Sequence, residues 1–177
     1  KYKGSTRMTS LSAAEHRQAA PKQLRFAVVT VSDTRTLESD SSGQLLVDEL
    51  TAAAHHCLDR RLVRDEPLEI CQVVGQLCSN ESLDVILVTG GTGISPRDRT
   101  PEAIAPLLDA ELPGFGELFR MLSFQEIGAA AMLSRALAGR IGSILIFCLP
   151  GSTAAVRLAI EKLLLPELPH LVHHARG

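Results

Sequence analysis

Hydrophobic residues fall along this chain in two alternating rhythms: short runs of branched residues, and longer stretches in which they recur every three or four positions. The runs are Phe26–Val31, Leu58–Val63, Val85–Val88 and Ile144–Leu149. Their length and branching predict strands, near-continuous and therefore buried except for the weakly alternating second one. Between them, Leu45, Leu46, Leu50 and Ala53 share helical spacing, as do Ile70, Val73, Val74 and Leu77, and later Val156, Ala159, Ile160, Leu163 and Leu164,. Asp65-Glu66-Pro67 opens the second of these helices. Thr100-Pro101-Glu102 opens another, with Thr as N-cap, Pro at the first position and Glu favourable to the dipole, ending or kinking near Pro106. Pro113-Gly114-Phe115-Gly116 reads as a turn before a helix at Glu117–Leu122. Ser134–Ala138 fits either a helix end or a short strand. Pro166 and Pro169 predict a polar tail.

Strand and helix in alternation predict an α/β fold, a three-layer α/β/α sandwich on a mostly parallel sheet. Ligands of such sheets bind beyond the carboxyl ends of the strands. Polar loops at 32–42, 89–99 and 150–153, with the Asp65 loop as a fourth, occupy those ends. The 177 residues, 45% of them apolar, suffice for one domain, placed at residues 24–177 after a flexible lead-in at 1–23,. The net charge of −2 and the absence of Trp argue against nucleic acid as a partner,. No apolar stretch is long enough to cross a bilayer, and the start lacks the apolar core of a signal peptide. Cys57, Cys71, Cys78 and Cys148 form no C-x-x-C pair and read as free thiols suited to a reducing cytoplasm,.

The densest chemistry is in Leu83–Ala103. A buried strand breaks into Thr89-Gly90-Gly91-Thr92-Gly93 and leads through Arg97-Asp98-Arg99 to the Thr100 helix. Strand, glycine loop and helix N-terminus make an anion site. The loop is neither G-x-G-x-x-G, since Pro96 stands at the third glycine, nor a P-loop, since no G-K-[ST] follows. Asp98 and Asp65 both follow predicted strands and should open onto one rim, where two carboxylates beside a polyphosphate suit magnesium. Each one alone reads more simply as a helix cap, and Asp33 and Asp40 carry the same ambiguity. Pro150-Gly151-Ser152 resembles a second anion-binding helix start or an ordinary cap. His55-His56 are placed at a helix end. His170, His173 and His174 could chelate a metal or lie in an exposed tail.

The segments VTGGTGISPRDRTPEAI, PGFGELFRMLSFQEIG, LSRALAG and LPGSTAAVRLAIEKLLLPEL together resemble the MoaB/Mog family of molybdenum cofactor biosynthesis, from about Phe26 to Pro169. The resemblance implies binding of molybdopterin, a pterin with a dithiolene and a terminal phosphate. In active members it also implies transfer of AMP from Mg-ATP to that phosphate with release of pyrophosphate. Carried over residue by residue, Asp98 and Asp65 would be catalytic and hold magnesium. Ser32, Asp33, Asp40, Gly43, Gly90, Gly91, Thr92, Gly93, Pro150, Gly151 and Ser152 would bind nucleotide and phosphates. Thr100, Pro101, Glu102, Gly114, Phe115, Gly116, Glu117, Arg120, Ser123, Ser134 and Arg135 would serve the pterin. Arg97, Arg99 and Arg120 are candidate phosphate clamps. The family resemblance also implies a trimer or hexamer and contact with other proteins of the pathway. SFQEIG leans toward the MoaB branch and the intact RD-RTPEA toward catalysis, so a non-catalytic binding protein or scaffold is the alternative to an adenylyltransferase.

Overall fold

In the computed structural model, which describes residues 21–177, the branched runs become strands β1 (Arg25–Val31), β2 (His56–Val63), β3 (Val85–Thr89) and β6 (Ile144–Leu149). Two shorter strands, β4 (Ala110–Glu111) and β5 (Leu137–Ile141), complete one six-stranded sheet of order β2-β1-β3-β6-β5-β4. The lead-in expected at 1–23 lies outside the described residues except for its last three positions. β2, β1, β3 and β6 run parallel, and β5 and β4 are added antiparallel. Ser134–Ala138, ambiguous by spacing, holds parts of both: Ser134 ends a 3-10 helix at Gly128–Leu133, and Leu137 and Ala138 open β5 by pairing with Cys148 and Phe147.

The helices are α1 (Ser41–Ala52), α2 (Pro67–Cys78), α3 (Thr100–Ile104), α4 (Pro113–Ile127), α5 (Thr153–Ala159) and α6 (Leu165–Arg176). They cover the sheet on both sides, because alternate strand residues face opposite layers. Phe26, Val28, Leu87 and Phe147 pack with α1, α4, α5 and α6, and Ala27, Val29, Ile86 and Ile146 pack with α2 and α3. The parallel strands end flush: Val31 is in register with Val63, Thr30 with Thr89, and Thr89 with Leu149. All four polar loops therefore leave the same edge. From β1 the chain steps one way to β2 and the other way to β3, so the order reverses at that pair and leaves a crevice,.

Four local expectations are corrected. Pro113–Gly116 is the first turn of α4, which starts on a proline; proline suits an opening position, where its missing N–H has no intrahelical partner. The final prolines do not end in a tail. A π-helical segment at Ile160–Leu164 precedes α6, and α6 continues through Pro169 to Arg176. Leu168 and Val172 are buried in the core, so tertiary burial outweighs the lost backbone donor,. His55 and His56 do not end α1, which stops at Ala52. His55 is buried and its Nδ1 accepts from the Leu24 amide, while His56 begins β2. Thr100 is not a cap but the first residue of α3, and its buried hydroxyl donates to the Gly90 carbonyl at 2.9 Å. The four cysteines are free thiols, as read from their spacing; Cys148 is fully buried, which pushes its thiol up, and the other three are half-buried.

Candidate active site

The crevice holds a cleft of about 570 Å³. Ser32 and Arg35 enter it from the β1 loop, Gly90–Gly93 and Asp98 from the β3 loop, and Pro150, Gly151 and Ser152 from the β6 loop. Ser123, Ser134 and an apolar wall of Phe119, Ile127, Ala130, Ala131 and Leu133 close it from α4 and the turn after it.

The glycine loop is shaped by what surrounds it. Gly90 and Gly91 have φ of +103° and +63°. A Cβ on Gly91 would meet the Thr100 hydroxyl and the Asp65 carboxylate, so this position excludes any larger residue for two independent reasons,. The Gly90 amide donates to Leu149 O at 3.0 Å, and Thr89 Oγ1 donates to Pro150 O at 3.0 Å, stitching the β3 and β6 loops together. Ser152 caps α5 by accepting from the Ala155 amide, so the ordinary cap reading holds for its side chain.

Asp65 and Asp98 converge on this loop. Asp65 is buried, its Oδ1 accepts from the Arg99 amide at 3.0 Å, and its other oxygen abuts Gly91. Asp98 Oδ2 accepts from the Ser95 amide at 2.9 Å and lies against Gly93. Burial pushes the Asp65 carboxyl above its usual range, and the negative charges of Asp98 and Asp33 push the same way against the Arg99 amide,. The ionised form of Asp65 is thus disfavoured beside the loop.

Other expected residues act from the periphery. Asp40 is buried under the cleft, where it takes hydrogen bonds from Thr30 Oγ1 at 2.6 Å, from Ser42 Oγ, from the Gly43 amide and from Arg60. Burial pushes its carboxyl up, but those donors together outweigh the burial and hold it below the usual range. It therefore caps α1 and fixes Thr30 and Ser42, two residues of the cleft floor. Gly43 fits because its Cα abuts the Asp40 carboxylate. Asp33 sits at the rim, accepting from the Asp65 amide and from Arg97, whose guanidinium also reaches Glu66 Oε1 at 2.7 Å. The Arg97 hydrogen bonds lower the Asp33 pKa.

A second cavity of about 350 Å³ adjoins the first, and Asp98 belongs to both. Arg99, Glu102 and Arg135 line it. Arg135 braces the glycine loop: Nε donates to Gly93 O at 2.8 Å, Nη2 to Asp98 O at 2.7 Å, and Nη1 pairs with Glu102. Pro101 is buried in α3 beside Thr100. The start of α4 stands apart from both cavities. Phe115 is buried against Phe119 and Phe147 and, with Gly114, lines a separate apolar groove. Gly116 abuts Ala136 O, Arg120 Nη1 donates to the same carbonyl at 3.4 Å, and Glu117 faces outward.

Arg35 escaped the sequence reading, yet it is the one cationic side chain lining the larger cleft among the described residues. Ser42 Oγ at 2.9 Å, Asp40 Oδ1 at 3.6 Å and Gly151 O at 3.5 Å hold its guanidinium. The signal was present as a cation two residues after Asp33 in the first polar loop.

A parallel sheet whose polar loops end flush around a glycine-lined cleft defines an α/β protein with a cavity at its switch point,. Residues 27–170 match the family described as the probable molybdopterin-binding domain, and the chain belongs to that family. It is 51% identical over 162 residues to molybdenum cofactor biosynthesis protein B of Bacillus cereus, covering 91% of this chain and 96% of that protein. A crystal structure of a molybdenum cofactor biosynthesis protein B superposes with a TM-score of 0.85 at 52% identity, covering 88% of this chain and 98% of that one. A structure of MogA superposes with a TM-score of 0.78 at 28% identity, covering 85% and 99%.

Proposed function

We propose that this chain serves molybdenum cofactor biosynthesis by binding molybdopterin and transferring AMP to its terminal phosphate from ATP. The observation that carries the reading is the pair of cavities meeting at Asp98. A two-substrate transfer needs two subsites with the reacting atoms at their junction. A molybdopterin phosphate oxygen attacks the α-phosphorus of ATP, the bond from that phosphorus to the β-bridging oxygen breaks, and pyrophosphate leaves.

Magnesium fits the donor set. Asp65 and Asp98 offer hard carboxylate oxygens where burial and mutual repulsion already disfavour the unpaired charge,. When bound, the ion would neutralise triphosphate charge. The loop amides beyond Gly90, whose own amide is held by Leu149 O, and Arg35 bind phosphate oxygens, Asp40 keeps Thr30 and Ser42 in place, and Arg135 holds the loop rigid,. The apolar wall excludes water, the competing nucleophile.

A second reading, pterin binding without transfer, draws on Arg97, whose guanidinium is engaged by Asp33 and Glu66 instead of reaching into the cleft. A pyrophosphate-release assay with molybdopterin, ATP and Mg²⁺ separates the two. The transfer reading expects release that Asp98→Asn abolishes while molybdopterin binding persists. Tight binding with no pyrophosphate from the unaltered chain would overturn it. The free thiols suit a cytoplasmic setting,, and no described helix is long and apolar enough to cross a membrane. Self-association as a trimer or hexamer belongs to the same proposal, supported by exposed Leu118, Met121, Phe124, Ile127, Met132 and Leu133 on α4 and the turn after it,.

A further inference from the structure

A second cluster of chemically able side chains lies away from the cleft, on α6. Glu167, His170 and His174 follow one another at i, i+3 and i+7 and so share one helix face,. His170 Nδ1 is 3.0 Å from Glu167 Oε2. His170 Nε2 is 2.9 Å from His174 Nε2, with the rings edge to face and their centroids 4.6 Å apart. The carboxylate takes the proton-bearing Nδ1 of His170 as its donor, which fixes the tautomer and turns the Nε2 lone pair toward His174.

We propose that His170 and His174 chelate a divalent transition cation, with Zn²⁺ as the representative, on the outer face of α6. Two nitrogens bound about 2.0–2.1 Å from one ion are separated by about 2.9 Å at a right angle and about 3.3 Å at the tetrahedral angle. The observed 2.9 Å separation therefore admits an ion with little side-chain movement. The Glu167 contact supplies the outer carboxylate that holds a metal-bound imidazole in orientation and raises its basicity,. His174 is exposed and His170 half-buried, so water completes the coordination and the ion exchanges with solvent. This site has two protein ligands, consistent with the lack of any convergent group of three among the described residues.

The placement gives the chelate a structural role. α6 contains Pro169, which cannot donate a backbone hydrogen bond, and it follows a π-helical segment,. Its last turns nevertheless bury Val172 and bring Arg176 to the buried Asp84 at the base of β3. An ion bridging residues four apart would clamp the turn immediately after the proline.

The test uses the full untagged chain, stripped with EDTA and titrated with Zn²⁺ against a chromophoric competitor. The expected result is one equivalent bound with micromolar affinity and a raised melting temperature. His170→Gln and His174→Gln each weaken binding roughly tenfold or more, and Glu167→Gln does so by about 10–100-fold. His173→Gln and the exposed, remote Glu81→Gln bind as the unaltered chain does. Circular dichroism of each metal-free variant shows that it folds. Absence of one-equivalent binding, or binding that survives both histidine changes, overturns the proposal. Because the readouts are Zn²⁺ binding and melting temperature and not turnover, the outcome is independent of the adenylyl-transfer reading.

Discussion

Gly91 is constrained by both its backbone angle and its neighbours. Alanine there would force a left-handed φ at about 1–2 kcal/mol and drive a methyl into Asp65 and Thr100,. Gly91→Ala is expected to lose at least that much in urea denaturation and to lose nucleotide binding with it. Asp65 makes a pH-dependent prediction of opposite sign. Its folded carboxyl titrates above the ordinary aspartate range, with burial the main cause. The ionised form therefore destabilises the fold: the penalty is absent below the unfolded pKa, grows as pH rises through the folded one, and is full at neutrality. Asp65→Asn should be at least as stable as the unaltered chain at pH 7, with the difference vanishing in acid, while magnesium-dependent turnover falls. A variant less stable at pH 7 than at pH 4, relative to the unaltered chain, would contradict this account. Arg35→Ala should raise KM for ATP and leave the melting temperature nearly unchanged, as measured by steady-state kinetics and thermal unfolding.

At the scale of elements, α1 illustrates a helix whose cap also builds the site. Asp40 satisfies the Gly43 amide and pairs with Arg60 in a buried setting. Asp40→Ala removes the cap and leaves the Arg35 and Arg60 guanidinium groups and the Thr30 and Ser42 hydroxyls without this partner, costing about 2–4 kcal/mol in chemical denaturation,. Its lowered pKa means that this stabilisation is present above the unfolded pKa and is lost as pH falls through the folded one,. α4 and α6 show where element prediction fails. Local signals read Pro113–Gly116 as a turn and Pro166 and Pro169 as breakers, because proline and glycine disfavour helix by propensity. Burial of Phe115 and Phe119 in one case, and of Leu168 and Val172 in the other, outweighs those preferences,.

For the whole molecule, the exposed apolar surface on α4 and the turn after it is the main unresolved contact. Phe124 is 60% exposed and Met132 79%. Phe124→Glu together with Met132→Glu is expected to shift the mass in light scattering toward the monomer while far-ultraviolet circular dichroism is unchanged.

Periodicity alone was enough to read the sheet's long strands, their parallel sense and the common edge where the loops emerge, because branched runs and helical spacing are local and repeat along the chain. The place of the glycine loop and of Asp65 at that edge was legible for the same reason, because each lies within two residues of a strand's end, whereas Asp98 is nine residues beyond Thr89 and only the folded loop brings it back to Gly93. What spacing could not reach was the division of labour among those residues. Only folding put Arg35 into the cleft, sank Asp40 beneath it, turned Arg120 onto Ala136 and set His170 against His174. The first three depend on burial and on partners from other elements; the histidine pair has helical spacing, but only folding made the segment around Pro169 a helix.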